Sequence, residues 1–213
     1  MTTLVSKAQQ RKADSHARIV DVAAKAIRRA GYRGVGVADI MLEAGLTHGG
    51  FYAHFASRKD MLIEAMQHAG QQNLAALERG IALRQRKGRT RFAALVETYL
   101  HDAHLDRVED GCIVAALVCE MPREDDAVRA QAQQRVAAMV ALVATTLPPS
   151  QQDQAPQVTA SLVGALQLAR ALGGKAGRAL LAQSRQALIA RHAPSSRQTQ
   201  PGRTASAAKH SAP

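Results

Sequence analysis

A chain of 213 residues with a 46% apolar share has material for one or two packed domains, and no apolar run reaches the roughly 18 residues of a membrane span. Aromatic residues make up only 3% and there are 7 prolines, which excludes an aromatic-rich core and a largely disordered chain and leaves Ala, Leu, Val, Ile and Met to fill the interior. The 28 basic and 17 acidic residues give a net charge of +11, which favours a polyanionic partner or an acidic membrane surface.

Residues 1–13 are polar without helical periodicity and read as a flexible basic arm carrying Lys7, Arg11 and Lys12. A first helix is expected from Asp14 or Ser15, either able to cap it, with Ile19, Val22, Ala23, Ala26, Ile27 and Ala30 as its buried stripe and Gly31 as its end. Arg28 and Arg29 fall near its C-terminal end, where the dipole favours cations. A short helix follows over 37–44, then a turn at Gly45, then a third helix over 48–55 capped by Thr47. Ser57 caps a longer helix that opens with Arg58, Lys59 and Asp60 and turns Leu62, Ala65, Met66 and Ala69 inward.

Helical periodicity continues to the end of the folded part. A charged turn at 84–89 precedes a stripe of Phe92, Leu95, Val96, Tyr99 and Leu100. Residues 112–121 are nearly all apolar, as in a buried helix, and Pro122 stops them. Cys112 and Cys119 lie seven apart on that expected helix, about 10.5 Å by its rise, too far for a disulfide, and both are expected in the core. Acidic residues at 124–126 open a long helix through Val128, Ala132, Val136, Met139, Val140, Val143 and Leu147. Two further helices, over 157–172 and 176–191, are parted by Gly173 and Gly174. The Pro/Ser/Thr/Gln-rich stretch 194–213 reads as a disordered tail. No segment alternates like a strand, so the expected class is all-α.

The segment 37–62 carries the chemistry. It is a small helix, a glycine turn and a second helix whose first turn is crowded with Thr47, His48, Gly49 and Gly50. Small residues let a ligand approach the backbone, and a recognition helix enters the major groove N-terminus first. Tyr52, His54 and Arg58 are candidate phosphate contacts, which position a protein without reading sequence. Phe51 is expected in the core. His101, Asp102 and His104 have workable metal spacing but read as a solvated polar face, so no metal and no cofactor are expected. No phosphate loop, nucleotide fingerprint or nucleophile elbow is present, and the chain is not expected to be an enzyme.

This block resembles the DNA-binding domain of the TetR family of transcriptional repressors. The resemblance rests on Ile40, Ala44-Gly45, Leu46-Thr47, Phe51-Tyr52, His54-Phe55, Ser57-Arg58-Lys59-Asp60 and Leu62, with Gly31-Tyr32 matching the end of the family's first helix. Gly36 stands where members usually have Ser or Thr, and Gly50 replaces a commoner Ser or Thr. The resemblance implies a three-helix helix-turn-helix domain at 14–60 and a helical effector-binding and dimerisation domain at 61–193. It places Thr47, His48, Gly49 and Gly50 near base edges, Tyr52, His54 and Arg58 at phosphates, and the arm with Lys7, Arg11 and Lys12 at an adjacent minor groove. It further implies a small-molecule site, for which Phe92, Tyr99, Met121 and Met139 are candidate lining, and a homodimer through Leu162, Ala165, Leu166, Ala169, Leu180 and Leu188 of the last two helices. The expected protein is a cytoplasmic, ligand-responsive regulator of a palindromic double-stranded DNA operator, without membrane contact. The alternatives are a thiol- or electrophile-sensing variant using Cys112 or Cys119, a basic nonspecific nucleic-acid-binding protein, and a small helical enzyme without a recognisable motif.

Overall fold

The computed structural model describes residues 6–192, and all regular structure among them is helical. Ser6 opens it. Its hydroxyl accepts the Gln9 amide at 3.2 Å while the Gln9 side chain accepts the Ser6 N–H at 2.9 Å, a reciprocal cap that starts α1 (Lys7–Ala30). The flexible arm expected up to residue 13 is therefore helix from Lys7. Asp14 sits inside that helix, taking a hydrogen bond from Gln10 one turn back at 2.8 Å, and caps nothing. The cap signal at Ser6 and Gln9 outweighs the missing apolar stripe. Gly31, at φ 77°, ends α1 in a conformation that favours glycine.

α2 (Val37–Glu43) and a 3-10 helix at His48–Ala53 make the helix-turn-helix, turning at Gly45, φ 69°. α3 (Arg58–Gln85) is capped by Ser57, whose hydroxyl accepts the Asp60 amide at 3.2 Å. It packs against α1, α4 (Arg91–Tyr99) and α7 (Asp126–Thr146), so the domain boundary expected at residue 60 falls in its first turn and is crossed by a single rod. α5 (Asp102–Asp106) and α6 (Ile113–Leu117) are short, and α8 (Ala155–Leu172) and α9 (Gly174–Arg191) pair as a hairpin across Gly173 and Gly174. The tail at 194–213 lies outside the described residues.

Ile19, Ile27, Ile40, Met61, Leu62 and Met66 are fully enclosed between α1, α2 and α3, each contributing about 1.5–3 kcal/mol by burial. The segment 112–121 departs from expectation. α6 is five residues long, the chain leaves it at Val118, and Cys119 reaches the surface while Cys112 is buried. The core reading thus holds for Cys112 and fails for Cys119. The cause lies at Glu120, whose carboxylate accepts the Tyr32 N–H at 3.0 Å and would collide with any side chain at Gly31.

That contact belongs to a wider joint between the end of α1 and residues 109–125. Arg28 is buried, yet each of its nitrogens finds an acceptor: Ala24 O at 2.9 Å, Gly111 O at 3.2 Å and Gln72 Oε1 at 3.2 Å. Arg29 bridges Glu43 at 3.1 Å and Glu109 at 2.9 Å at the surface, where such pairs contribute little.

Candidate nucleic-acid interface

The 3-10 segment after Thr47 is held from below by one residue. Phe51 is buried, stacked at 5.6 Å on Phe55, which in turn stacks on His16 of α1 at 4.5 Å. With Phe51 and Phe55 inward, Thr47, His48, Gly49 and Tyr52 face outward, and Tyr52 is 73% exposed. A Cβ at Gly49 would meet nothing within 4 Å, so the backbone there is open to approach. Gly50 is half-buried, and a Cβ would meet Thr47 Oγ1 at 3.6 Å and Met41 Cε at 3.7 Å, ordinary contact distances. Thr47 bonds no amide of its own helix, leaving its hydroxyl free.

His54 stands at the edge of this ridge. Its ring is 5.9 Å from His16, and its Nδ1 is enclosed with no hydrogen-bond partner among the described residues. Burial, then the neighbouring His16 and Lys12, hold its pKa below the usual histidine value. Lys7, Arg11 and Lys12 are all exposed on the first turns of α1, displayed by a helix and not by an arm. Lys12 lies on the His54 side.

Arg58 is placed otherwise than expected. Its guanidinium turns back under the α1–α2 turn and donates to Tyr32 O and, at 3.2 and 3.3 Å, to Val35 O. It fastens the turn, and the exposed cation of the α3 start is Lys59. Arg and Lys at this position read alike in sequence, but only the planar fork of Arg serves two carbonyls at once. Arg18, also missed by sequence reasoning, reaches Ala44 O at 3.4 Å. Arg28 had one usable signal: it continues the Val20–Ala24 line at four-residue spacing onto the buried face.

The candidate effector residues do not line one cavity. All four are buried, but Phe92 packs on His192 at 4.9 Å, Tyr99 on His104 at 4.9 Å, and Met121 and Met139 border separate hollows on different faces of α7. His104 is committed to backbone. Its Nδ1–H donates to Tyr99 O at 2.7 Å and its Nε2 accepts the Cys112 N–H at 3.0 Å. Burial holds its pKa at about 4, so both nitrogens are spent and the ring is neutral. No cluster of metal-ligand type occurs among the described residues. Tyr99 is fully enclosed with its hydroxyl unpartnered, and burial raises its pKa.

The dimer residues divide. Leu162, Leu166 and Ala169 are buried within their own chain, while Ala165, Leu180 and Leu188 are half-buried. The exposed apolar groups of α8 are Leu168 and Leu172, at 60% and 57%, with Gly164 one turn before Leu168 facing open space. No helix among the described residues is long and apolar enough to cross a membrane.

Residues 19–65 match the model of bacterial regulatory proteins of the tetR family. Similar solved structures include a TetR transcriptional regulator from Chloroflexus aurantiacus J-10-FL, at 20% identity, TM-score 0.68, covering 85% of this chain and 95% of that one. A TetR-family regulator from Cytophaga hutchinsonii gives 20% identity and TM-score 0.70 over 88% of this chain and 97% of its own. FadR from Bacillus subtilis, solved in complex with stearoyl-CoA, gives 17% identity and TM-score 0.56 over 83% and 97%. Among curated proteins, none matches the sequence.

Proposed function

With a tetR-family domain at residues 19–65, set in a fold shared with that family's regulators, the chain belongs to the TetR family of DNA-binding transcriptional regulators, and we propose that it is a dimeric repressor released from a palindromic operator by a small molecule. One observation carries the reading: the 47–54 segment turns its one large apolar side chain, Phe51, inward and leaves Thr47, His48, Tyr52 and an open backbone at Gly49 outward. That surface suits the major groove, with Thr47, His48, Gly49 and Gly50 at base edges and Tyr52 and His54 at phosphates. Lys7, Arg11 and Lys12, on rigid helix, supply further phosphate or minor-groove contact.

Two-fold pairing gives such a domain two half-sites about 34–36 Å apart. The exposed Leu168 and Leu172 on α8 favour the last two helices as the contact. The ligand-bound relative of the same fold supports effector control. An effector that prefers one arrangement of the helices lowers DNA affinity by its coupling energy, and DNA weakens its binding equally. The family is one of regulators, not enzymes. The cytoplasm is the compartment where the operator is met.

Selection of bound duplexes from a random pool tests the reading. A palindrome with half-sites about one helical turn apart is expected. Uniform retention of unrelated sequences would mean a nonspecific basic protein. Sedimentation should give twice the 22.7 kDa chain mass, and Leu168→Glu with Leu172→Glu should give the monomer. A second reading, thiol sensing, now concerns Cys119, the exposed cysteine of the two. It requires that thiol labelling abolish operator binding in the unaltered protein and spare it in Cys119→Ser.

A further inference from the structure

A cleft between α3, α6 and α7 holds an arginine without a counter-charge. Its walls are Gly70, Asn73 and Leu74 of α3, Ile113 and Val114 of α6, and Arg135, Ala138 and Met139 of α7, around a space of about 10 Å³, no more than a single water molecule needs. Arg135 lies across Gly70: a Cβ there would come 2.5 Å from Arg135 Cδ and 2.9 Å from its Nη1. The absence of a side chain at Gly70 is what gives the arginine its berth. The Arg135 Nε is sealed from solvent with no partner, and among the described residues no carboxylate pairs with the guanidinium. One turn earlier on α7 the Gln131 Oε1 is likewise enclosed and unpartnered, and Asn73 places a buried carboxamide in the cleft wall.

Other enclosed arginines have acceptors for at least part of the guanidinium, although the Arg170 Nε, like that of Arg135, has none. Arg28 has three acceptors, Arg170 donates to His104 O at 2.9 Å, and Arg185 has Leu100 O and Asp102. Arg135 as a residue is half-buried, and its sealed Nε–H without an acceptor costs free energy that an anion arriving from outside recovers. The remaining lining is aliphatic.

We propose that this cleft is the effector site of the regulator and that it selects a carboxylate carried on a compact apolar body, the carboxylate drawing Arg135 off its berth at Gly70 and the apolar body entering beside Leu74, Ile113, Val114 and Met139. The inference rests on the ligand-responsive reading above and adds the chemical class of the ligand. The space now filled by the Arg135 stem becomes the room the ligand occupies, so binding pushes α7 away from α3 and α6.

The test uses the full-length protein titrated calorimetrically with hexanoate, octanoate, benzoate and phenylacetate, each beside its primary amide. At least one acid should bind saturably, with its amide weaker by about 10- to 100-fold, the range of a charge-assisted hydrogen bond. Arg135→Met should lose that preference while unfolding at an unchanged or higher temperature, and Arg135→Lys should keep part of it. Amides binding as well as acids, no acid of the panel binding, or an acid preference surviving in Arg135→Met would overturn the proposal. A neutral compound that releases the selected DNA from both unaltered and Arg135→Met protein would keep ligand control and discard the anion. An acid that binds through Arg135 without affecting DNA would keep the site and discard the control.

Discussion

At the joint between the end of α1 and residues 109–125, buried polar groups are matched: Arg28 with three acceptors, Tyr32 N–H with Glu120, Arg58 with Tyr32 O and Val35 O. Around it, others are not. His54 Nδ1 is unpartnered beside the exposed ridge, and Tyr99 Oη and the Nε atoms of Arg135 and Arg170 are unpartnered within the helices beyond. Since buried polar groups in folded proteins are nearly always satisfied, the contrast separates parts that hold the fold from parts that await something. Substitutions at the matched groups should therefore register as stability, and substitutions at the unmatched ones as binding.

Arg28→Ala offers the largest test. Removing a buried side chain with three hydrogen bonds should cost about 3 kcal/mol in denaturant unfolding. A loss under 1 kcal/mol would break the contrast. His104 is next, and it is a matter of pH. Its folded pKa of about 4 lies below the ordinary 6.5, so as pH falls from about 6.5 towards 4 the unfolded chain takes up a proton that the folded chain refuses. Stability present above pH 6.5 is lost across that window, by about 3 kcal/mol for a shift of this size. His104→Gln should flatten that part of the stability–pH curve.

Arg58→Ala should cost about 1–2 kcal/mol by leaving carbonyls without a donor, with little change in the salt dependence of DNA binding. Arg11→Ala should do the reverse: unchanged unfolding, and a salt slope reduced by about one phosphate. Swapped outcomes would show that the arginine at the α3 start leaves its carbonyls when DNA is present. The smallest stability effect, within about 0.5 kcal/mol, is expected for Tyr52→Ala, which touches little but the edge of Phe51. Its DNA affinity should nonetheless fall.

The helix-turn-helix was legible because its signals are local: Gly45 at the turn, Ser57 as the N-cap of α3, Phe51 and Phe55 at spacing that buries both, although Thr47 stands at its N-cap position without capping. The misreadings came from partners distant in sequence. Nothing near Arg58 announces carbonyls 23 and 26 residues back, and nothing near Cys119 announces that Glu120 is tied to a residue 88 positions away. α8 carries apolar residues on two faces, so periodicity finds Leu166 and Leu168 equally and cannot say which meets its own chain. Arg135 had no signature in sequence, because its meaning lies in the lack of a partner.

The 28 residues of α3 form an unbroken shaft from the capped start beside the exposed 47–52 ridge into the middle of the helices beyond. At 1.5 Å per residue, Gly70 lies about 18 Å from the first turn. With the fulcrum there, a swing of about 6° carries the α3 start about 2 Å sideways, and the helix-turn-helix fastened to it travels along. In the two-fold pair proposed above both arms would move, opening or closing the gap by about 4 Å, more than the roughly 3.4 Å rise of one base pair. A swing of a few degrees about Gly70 would thus be geared up to a full step along the duplex that the proposed dimer binds.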